Sequence, residues 1–396
     1  MKIQFAHRMD RMQPSTIREI LKVTQQPDII SFAGGLPAPE LFPVAAVLSA
    51  TQRVLSDCGA QALQYGPTEG FVPLRETLAA EMLRRGAACS AGEILVTTGS
   101  QQALDLTGKV FLDAGDCVLT ENPTYLAAIQ AFHAYEVRFA PVATDEGGIV
   151  PEALAESIER ERPKLLYTIP NFQNPTGVTL TAERRRELYS IAARYRLPVV
   201  EDDPYGKLRY SGTTIPPIKA LDTEGLVVYL STVSKTIAPG LRIGWVDAIP
   251  EILGKFTMAK QAADLHSSSL DQHIVHRYLS DFDSEAHVER VRQAYGERYA
   301  VMDSSLRESM PAGFSWTHPE GGMFLWIACP KRIDTTNLLA RALDRKVAFV
   351  PGRDFFPDAS GHRFMRLNFS NASPERIREG IGRLADVCQA AVGAAA

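Results

Sequence analysis

The sequence predicts an α/β fold: a large, mostly parallel seven-stranded sheet followed by a smaller α+β unit. Three observations carry that expectation. Between about residues 93 and 265, short β-rich runs alternate with amphipathic helical stretches. Strands spaced by helices imply crossover connections, and so a mostly parallel sheet covered on both faces. Beyond about residue 290 the alternation gives way to one long helical stretch, a few strands and two closing helices.

Taken in order, the first 45 residues hold one helical stretch, 14–24, and then a Gly/Pro-rich extended stretch, 31–43. They are too short to fold alone and are expected to pack on the C-terminal unit. Strands are expected over 94–98, 117–120, 137–141, 165–169, 198–201, 226–230 and 243–246. Helices are expected between them over 100–112, 125–133, 151–161, 181–195 and 250–263. The stretch 289–310 reads as a connecting helix. Strands over 322–327, 347–350 and 363–369 and helices over 335–343 and 374–391 complete the C-terminal unit. The expected organisation is thus 1–45 as an N-terminal segment, 46–290 as a large domain and 291–396 as a small one.

Composition narrows the function. With 45% hydrophobic and 22% charged residues, the 396-residue chain can bury substantial cores. A net charge of −4 with mixed signs throughout gives no electrostatic case for nucleic acid or an anionic membrane. No apolar run approaches the roughly 20 residues that span a bilayer, and residues 1–8 lack the apolar core of a signal peptide. Five scattered cysteines, without a CxxC pair, suit free thiols in a reducing cytoplasm. His273 and His276 have no carboxylate or cysteine cluster nearby and read as ordinary helix residues, so no metal is expected.

Chemistry concentrates at the ends of the expected strands, where ligands of parallel sheets gather. The run 225–230 leads into Ser231-Thr232-Val233-Ser234-Lys235. A lysine walled by apolar sequence has its pKa lowered and becomes a usable nucleophile towards an aldehyde. Thr232, Ser234 and the fork of Arg242 can hold a phosphate. A Schiff-base lysine beside a phosphate cradle is what pyridoxal phosphate requires. Gly99 permits a tight turn into a helix whose first amides, at Ser100 and Gln101, point at an anion; plain N-capping by Ser100 would look similar. Asp202, after a buried strand, can keep a ring nitrogen protonated, and Tyr205 can bond a phenolic oxygen; an acidic turn before Pro204 is the alternative. Asn174 can bond that oxygen from the other side, although Pro175 and Gly177 also mark an ordinary turn. Tyr125 is suited to stack on a flat ring or to sit in a core. Arg366, on a half-apolar strand, makes either a structural ion pair or a bidentate grip on a substrate carboxylate.

Together these segments resemble the fold-type-I pyridoxal-phosphate-dependent aminotransferases of class I/II, over nearly the whole chain from Ser31-Phe32-Ala33-Gly34-Gly35 to Arg366-Leu367-Asn368-Phe369. The resemblance implies that Lys235 is the Schiff-base lysine and proton shuttle, with Asp202 on the ring nitrogen and Tyr125 stacked on the ring. It places Asn174 and Tyr205 on the phenolic oxygen, and Ser100, Gln101, Thr232, Ser234 and Arg242 around the phosphate. Position 232 is Thr where relatives often carry Ser, which keeps the hydroxyl. Arg366 is assigned the substrate α-carboxylate, with Gly35 and Asn174 also among the substrate-binding residues. Tyr65 is expected to reach the phosphate of a neighbouring subunit, hence a homodimer with shared sites. The segments 15–21 and 31–43 are similar to the 2-aminoadipate/kynurenine aminotransferase group, in which a short N-terminal helix covers the site. There Arg18 would meet a distal carboxylate; a solvated helix arginine is the alternative. The implied reaction is ping-pong transfer of an α-amino group to 2-oxoglutarate in the cytoplasm, with 2-aminoadipate-type or broad specificity. Aromatic or branched-chain transamination, or a β-lyase or decarboxylase on the same fold, are the rival readings.

Overall fold

The computed structural model describes residues 3–10, 12, 19, 20, 22 and 26–394. Seven strands form its large sheet: β1 (Ile94–Thr97), β2 (Cys117–Thr120), β3 (Arg138–Pro141), β4 (Leu165–Thr168), β5 (Val199–Asp202), β6 (Val227–Thr232) and β7 (Gly244–Asp247). Their order is β1-β7-β6-β5-β4-β2-β3. Every neighbouring pair is parallel except those of β7, which runs antiparallel to β1 and β6.

Because side chains alternate along a strand, each strand feeds two cores. Leu95, Val118, Leu165, Tyr167, Val200, Val228 and Val246 face one way, packing with Leu104 of the helix Ser100–Phe111 and Phe256 of the helix Pro250–Ala263. On the other face, Leu119, Leu166, Val199 and Val227 meet Leu154 and Leu188 from the helices Pro151–Glu161 and Ala182–Tyr195. Further along that face, Ile94, Val96, Tyr229 and Trp245 pack with Val54, Leu78 and Ile274 from the helices Val44–Ala62, Val72–Arg84 and Ser269–Asp281.

The first two of those helices carry no clear signal in the sequence. Val44, Leu48 and Leu55 lie exposed on the Val44–Ala62 helix, and Val72 and Leu83 on the next, so apolar residues on both faces blur the helical period. The first is also interrupted by a non-helical Cys58.

A second, antiparallel sheet joins Ser315–Trp316, Phe324–Ala328, Phe364–Asn368 and Val350–Pro351. The single strand expected over 347–350 is in fact two. Val347–Ala348 pairs with Ile30–Ser31, and the chain changes partner at Phe349. A continuously buried apolar run gives no sign of such a switch. The N-terminal segment runs along this second sheet: the Phe32 amide donates to Ala348 (2.8 Å), and the Asn368 amide donates to Phe32 (2.8 Å). Glu40 pairs with Arg298, and the Ser370 hydroxyl donates to the Leu36 carbonyl at 2.9 Å. The helix expected over 14–24 lies largely outside the described residues.

One buried guanidinium holds the loops at the carboxyl edge of the large sheet. Arg185 donates to the carbonyls of Leu180 (3.0 Å), Pro170 (3.0 Å) and Pro216 (2.7 Å) and to Asn171 Oδ1 (2.6 Å). Replacing it with methionine removes this donor from the Leu180 and Pro216 carbonyls and from Asn171 Oδ1, while the Pro170 carbonyl keeps the Leu180 amide, at a cost of roughly 3 kcal/mol. Arg185→Met is therefore expected to lower the denaturant midpoint strongly. Arg160→Met, at an exposed ion pair with Glu161, is expected to change stability by less than about 1 kcal/mol. Equal midpoints for the two variants would contradict this.

Candidate active site

The carboxyl ends of β1, β2, β4, β5 and β6 lie along one edge of the sheet, and the amino end of the antiparallel β7 joins them there. A cavity of about 280 Å³ opens at this edge. Gly35, Ser100, Gln101, Tyr125, Asn174, Asp202, Tyr205, Thr232, Ser234, Lys235, Arg242 and Arg366, each singled out in the sequence, all line it.

Lys235 ends a 3-10 turn, Val233–Lys235, that follows β6 directly. Thr232 shapes the turn: its hydroxyl oxygen accepts from the Ser234 amide (3.1 Å) and donates to the Ile243 carbonyl (2.8 Å). The Lys235 amine donates to the Gly35 carbonyl at 2.9 Å. Burial, with the positive charges of Arg366 and Arg242 adding to it, brings the amine's pKa down to about 8.

One corner of the cavity is built for an anion. Gly99, at φ +74°, turns β1 into the helix Ser100–Phe111, whose first amides have no acceptor within the helix. A Cβ on Gly99 would collide with the Arg242 guanidinium, and one on Gly244 would come within 2.7 Å of the Ser100 nitrogen. The two glycines thus let a guanidinium and a helix start converge beside the Thr232 and Ser234 hydroxyls. That arrangement suits a phosphate.

Asp202 is the last residue of β5. Its Oδ2 accepts a hydrogen bond from the Tyr167 hydroxyl at 2.7 Å, whereas Oδ1 is buried without a partner. Burial raises its pKa to about 7, with Asp203 pushing the same way and the Tyr167 hydrogen bond opposing both. A buried carboxylate oxygen without a donor is costly, and it fits a protonated ring nitrogen that would supply one.

Arg366 is almost fully buried. It donates to Asn174 Oδ1 (2.8 Å) and to the Ala33 carbonyl (2.7 Å), while its Nε has no partner. The Phe324 and Phe355 rings lie 4.2 and 5.1 Å from its guanidinium carbon. Burial brings its pKa down to about 10, opposed by Tyr205 and Tyr125, so it stays cationic at neutral pH.

One named residue does not line the cavity. Tyr65 is 79% exposed, with its ring edge-on to His266. Arg18 lies outside the described residues. Conversely, the cavity includes Leu36, Ile169, Pro204, Pro239 and Phe324, which the sequence reading did not single out. Apolar residues of this kind carry no chemical signal. Tyr167, whose hydroxyl bonds Asp202, reads in the sequence as an ordinary buried strand aromatic.

Comparison with known proteins agrees with this geometry. Residues 27–384 match the model of the family "Aminotransferase class I and II". The chain is 46% identical, over 96% of its length and 93% of the relative's, to aromatic-amino-acid aminotransferase 1 of Thermococcus litoralis. It is also 46% identical to the 2-aminoadipate transaminase of Thermus thermophilus, over 94% of each chain. The crystal structure of the α-aminoadipate aminotransferase of Thermus thermophilus, complexed with N-(5'-phosphopyridoxyl)-L-leucine, superposes with a TM-score of 0.92 at 43% identity, covering 98% of both chains. An anion corner, an activated lysine, an orphaned carboxylate oxygen and a buried arginine therefore meet in one cavity of a chain that belongs to the class I and II aminotransferases, as a pyridoxal-phosphate-dependent transaminase of fold type I.

Proposed function

We propose that this transaminase takes the amino group from 2-aminoadipate-type substrates, or from a broad set of α-amino acids, and passes it to 2-oxoglutarate by a ping-pong mechanism. The observation that carries this reading is the placing of the Lys235 amine, with its lowered pKa, in one cavity with Arg366 and the unpartnered Asp202 Oδ1. When bound, pyridoxal phosphate supplies an aldehyde for an amine and an electron sink for the bond broken at Cα. The chain's own residues do the rest. Ser100, Gln101, Thr232, Ser234 and Arg242 would hold the phosphate, Asp202 the ring nitrogen, and Asn174 and Tyr205 the phenolic oxygen. Tyr125 would pack against the ring. Lys235 would move the proton between the substrate Cα and C4′ of the coenzyme. Arg366, fixed in plane by Phe324, presents its Nε and remaining N–H groups to the substrate α-carboxylate. Gly35, which lines the cavity, is assigned to the same carboxylate.

The reading extends to assembly. Tyr65 is exposed and does not line its own cavity, and Leu63, Val72, Val44 and Leu48 are exposed too. We infer a homodimer in which Tyr65 reaches the partner's phosphate, with 46–290 as the large domain, 291–396 as the small one and 1–45 attached to the latter. Five free cysteines, and the lack among the described residues of a helix long and apolar enough to cross a membrane, support a cytoplasmic enzyme.

Specificity rests on a further cation. Among the described residues lining the cavity the cations are Lys235, Arg242 and Arg366, and each already has a role. The resemblance of residues 15–21 to the 2-aminoadipate/kynurenine aminotransferase group assigns a distal carboxylate to Arg18 of the N-terminal segment.

Three outcomes follow from these assignments. Uptake of pyridoxal phosphate by the cofactor-free protein should accelerate from pH 7 to 9 as the Lys235 amine loses its proton around pH 8. Absorbance should record this, and amino donor followed by 2-oxoglutarate should bleach and restore the signal; a midpoint in the ordinary lysine range, or no restoration, contradicts the assignment. Arg366→Gln should raise KM for every amino donor, by about 2–5 kcal/mol in apparent binding, whatever the donor's side chain. Arg18→Ala should reduce turnover of glutamate and 2-aminoadipate well below that of leucine and phenylalanine. Equal losses across the panel would remove its distal role.

A further inference from the structure

We propose that Tyr167 is the positioning residue that orients Asp202, engaging one carboxylate oxygen so that the other is presented to the cofactor's ring nitrogen. The inference rests on the assignment of Asp202 to that nitrogen and adds a residue one layer deeper.

The strands dictate the contact. Tyr167 on β4 lies opposite Val200 on β5, so Asp202, two residues on, emerges on the same face. The Tyr167 hydroxyl donates to Asp202 Oδ2 at 2.7 Å, and both side chains are almost fully buried. Phe132 packs edge-on against the Tyr167 ring, with centroids 5.8 Å apart, and so restricts its orientation. Burial and the Asp202 charge hold the phenol well above its ordinary pKa, which keeps it a donor. Oδ1 receives no hydrogen bond among the described residues. One oxygen is thereby satisfied from within the protein, and the other is reserved.

The hydrogen bond also acts on charge. It favours the carboxylate over the acid, against burial and the neighbouring Asp203. Glu121, Tyr125 and Tyr205 also interact electrostatically with Asp202, and Tyr167 is the group that bonds it directly. Without the hydroxyl, Asp202 is more readily protonated at neutral pH and free to turn.

The test is Tyr167→Phe, which keeps the ring. Cofactor-free wild-type and variant proteins are titrated with pyridoxal phosphate and with its 1-deaza analogue, in which carbon replaces the ring nitrogen. The variant should bind pyridoxal phosphate about tenfold more weakly, the worth of one hydrogen bond to a charged group, yet bind the analogue within about twofold of wild type. Equal losses on both ligands, as from a merely structural hydroxyl, overturn the proposal, and so does no loss on either. If wild type itself fails to prefer pyridoxal phosphate over the analogue, the assignment of Asp202 fails instead. Should the Phe variant not fold, Tyr167→His retains a ring and a donor; a folded His variant that has lost the wild-type preference overturns the proposal, and a preserved preference supports it.

Discussion

The enclosure of one guanidinium holds the site together. Arg366 sits on the second sheet, but its hydrogen bonds go to Ala33 on the N-terminal segment and to Asn174 on a turn of the first sheet. Phe324 and Phe355 cover its faces. A buried charge is costly unless it is hydrogen-bonded, and the two bonds this one makes within the chain form only when three distant stretches come together. The cavity is what remains between them. It is less a hole in one domain than a junction whose walls are fixed by a single cation's demand for partners.

Behind that junction lies a second layer of buried polar groups. Asp203, next to the cavity residue Asp202, turns the other way to meet Arg85, Asn171 and Tyr229. Arg85 and Asn171 hold its pKa low despite burial, whereas Asp202 with a lone tyrosine donor is raised. Two adjacent carboxylates thus differ in protonation tendency because alternation sends one to a cationic face and the other to the cavity. Glu121 plays a comparable part on β2's side. It accepts from Thr168, the Ile169 amide and Gln173, and Gln173 Oε1 in turn accepts from Thr176. This chain of bonds sets the turn that carries Asn174.

Much of this was legible in the sequence, and for a common reason. Strand runs such as Leu165–Thr168 and Val199–Asp202 are short and begin apolar, and polar residues gather at their carboxyl ends, Asn171 to Asn174 beyond the first and Glu201 to Asp203 at the second. Polar residues at strand ends announce themselves; apolar ones do not. Phe324 and Ile169 line the cavity but read as core, and Tyr167 looks like any buried strand aromatic until Asp202 is seen beside it. The helices Val44–Ala62 and Val72–Arg84 were hidden because their apolar residues go all round. The partner switch at Phe349 was hidden because both partners bury the same kind of side chain. Tyr65 is a different case: its part in the site was read from the resemblance, and the chain by itself shows it exposed.

The reversed direction of β7 has a consequence for how such a protein comes into being. Because β7 runs against its neighbours, Arg242 precedes it and lies at the same edge as Ser100, which follows β1. Those two strands pair across roughly 150 positions of sequence. The anion corner is therefore absent from any nascent chain that has not yet emerged past Gly244, however well its first half has folded. An anion gripped at that corner would therefore act as a late clasp on a nearly finished sheet, and not as a template for its early strands.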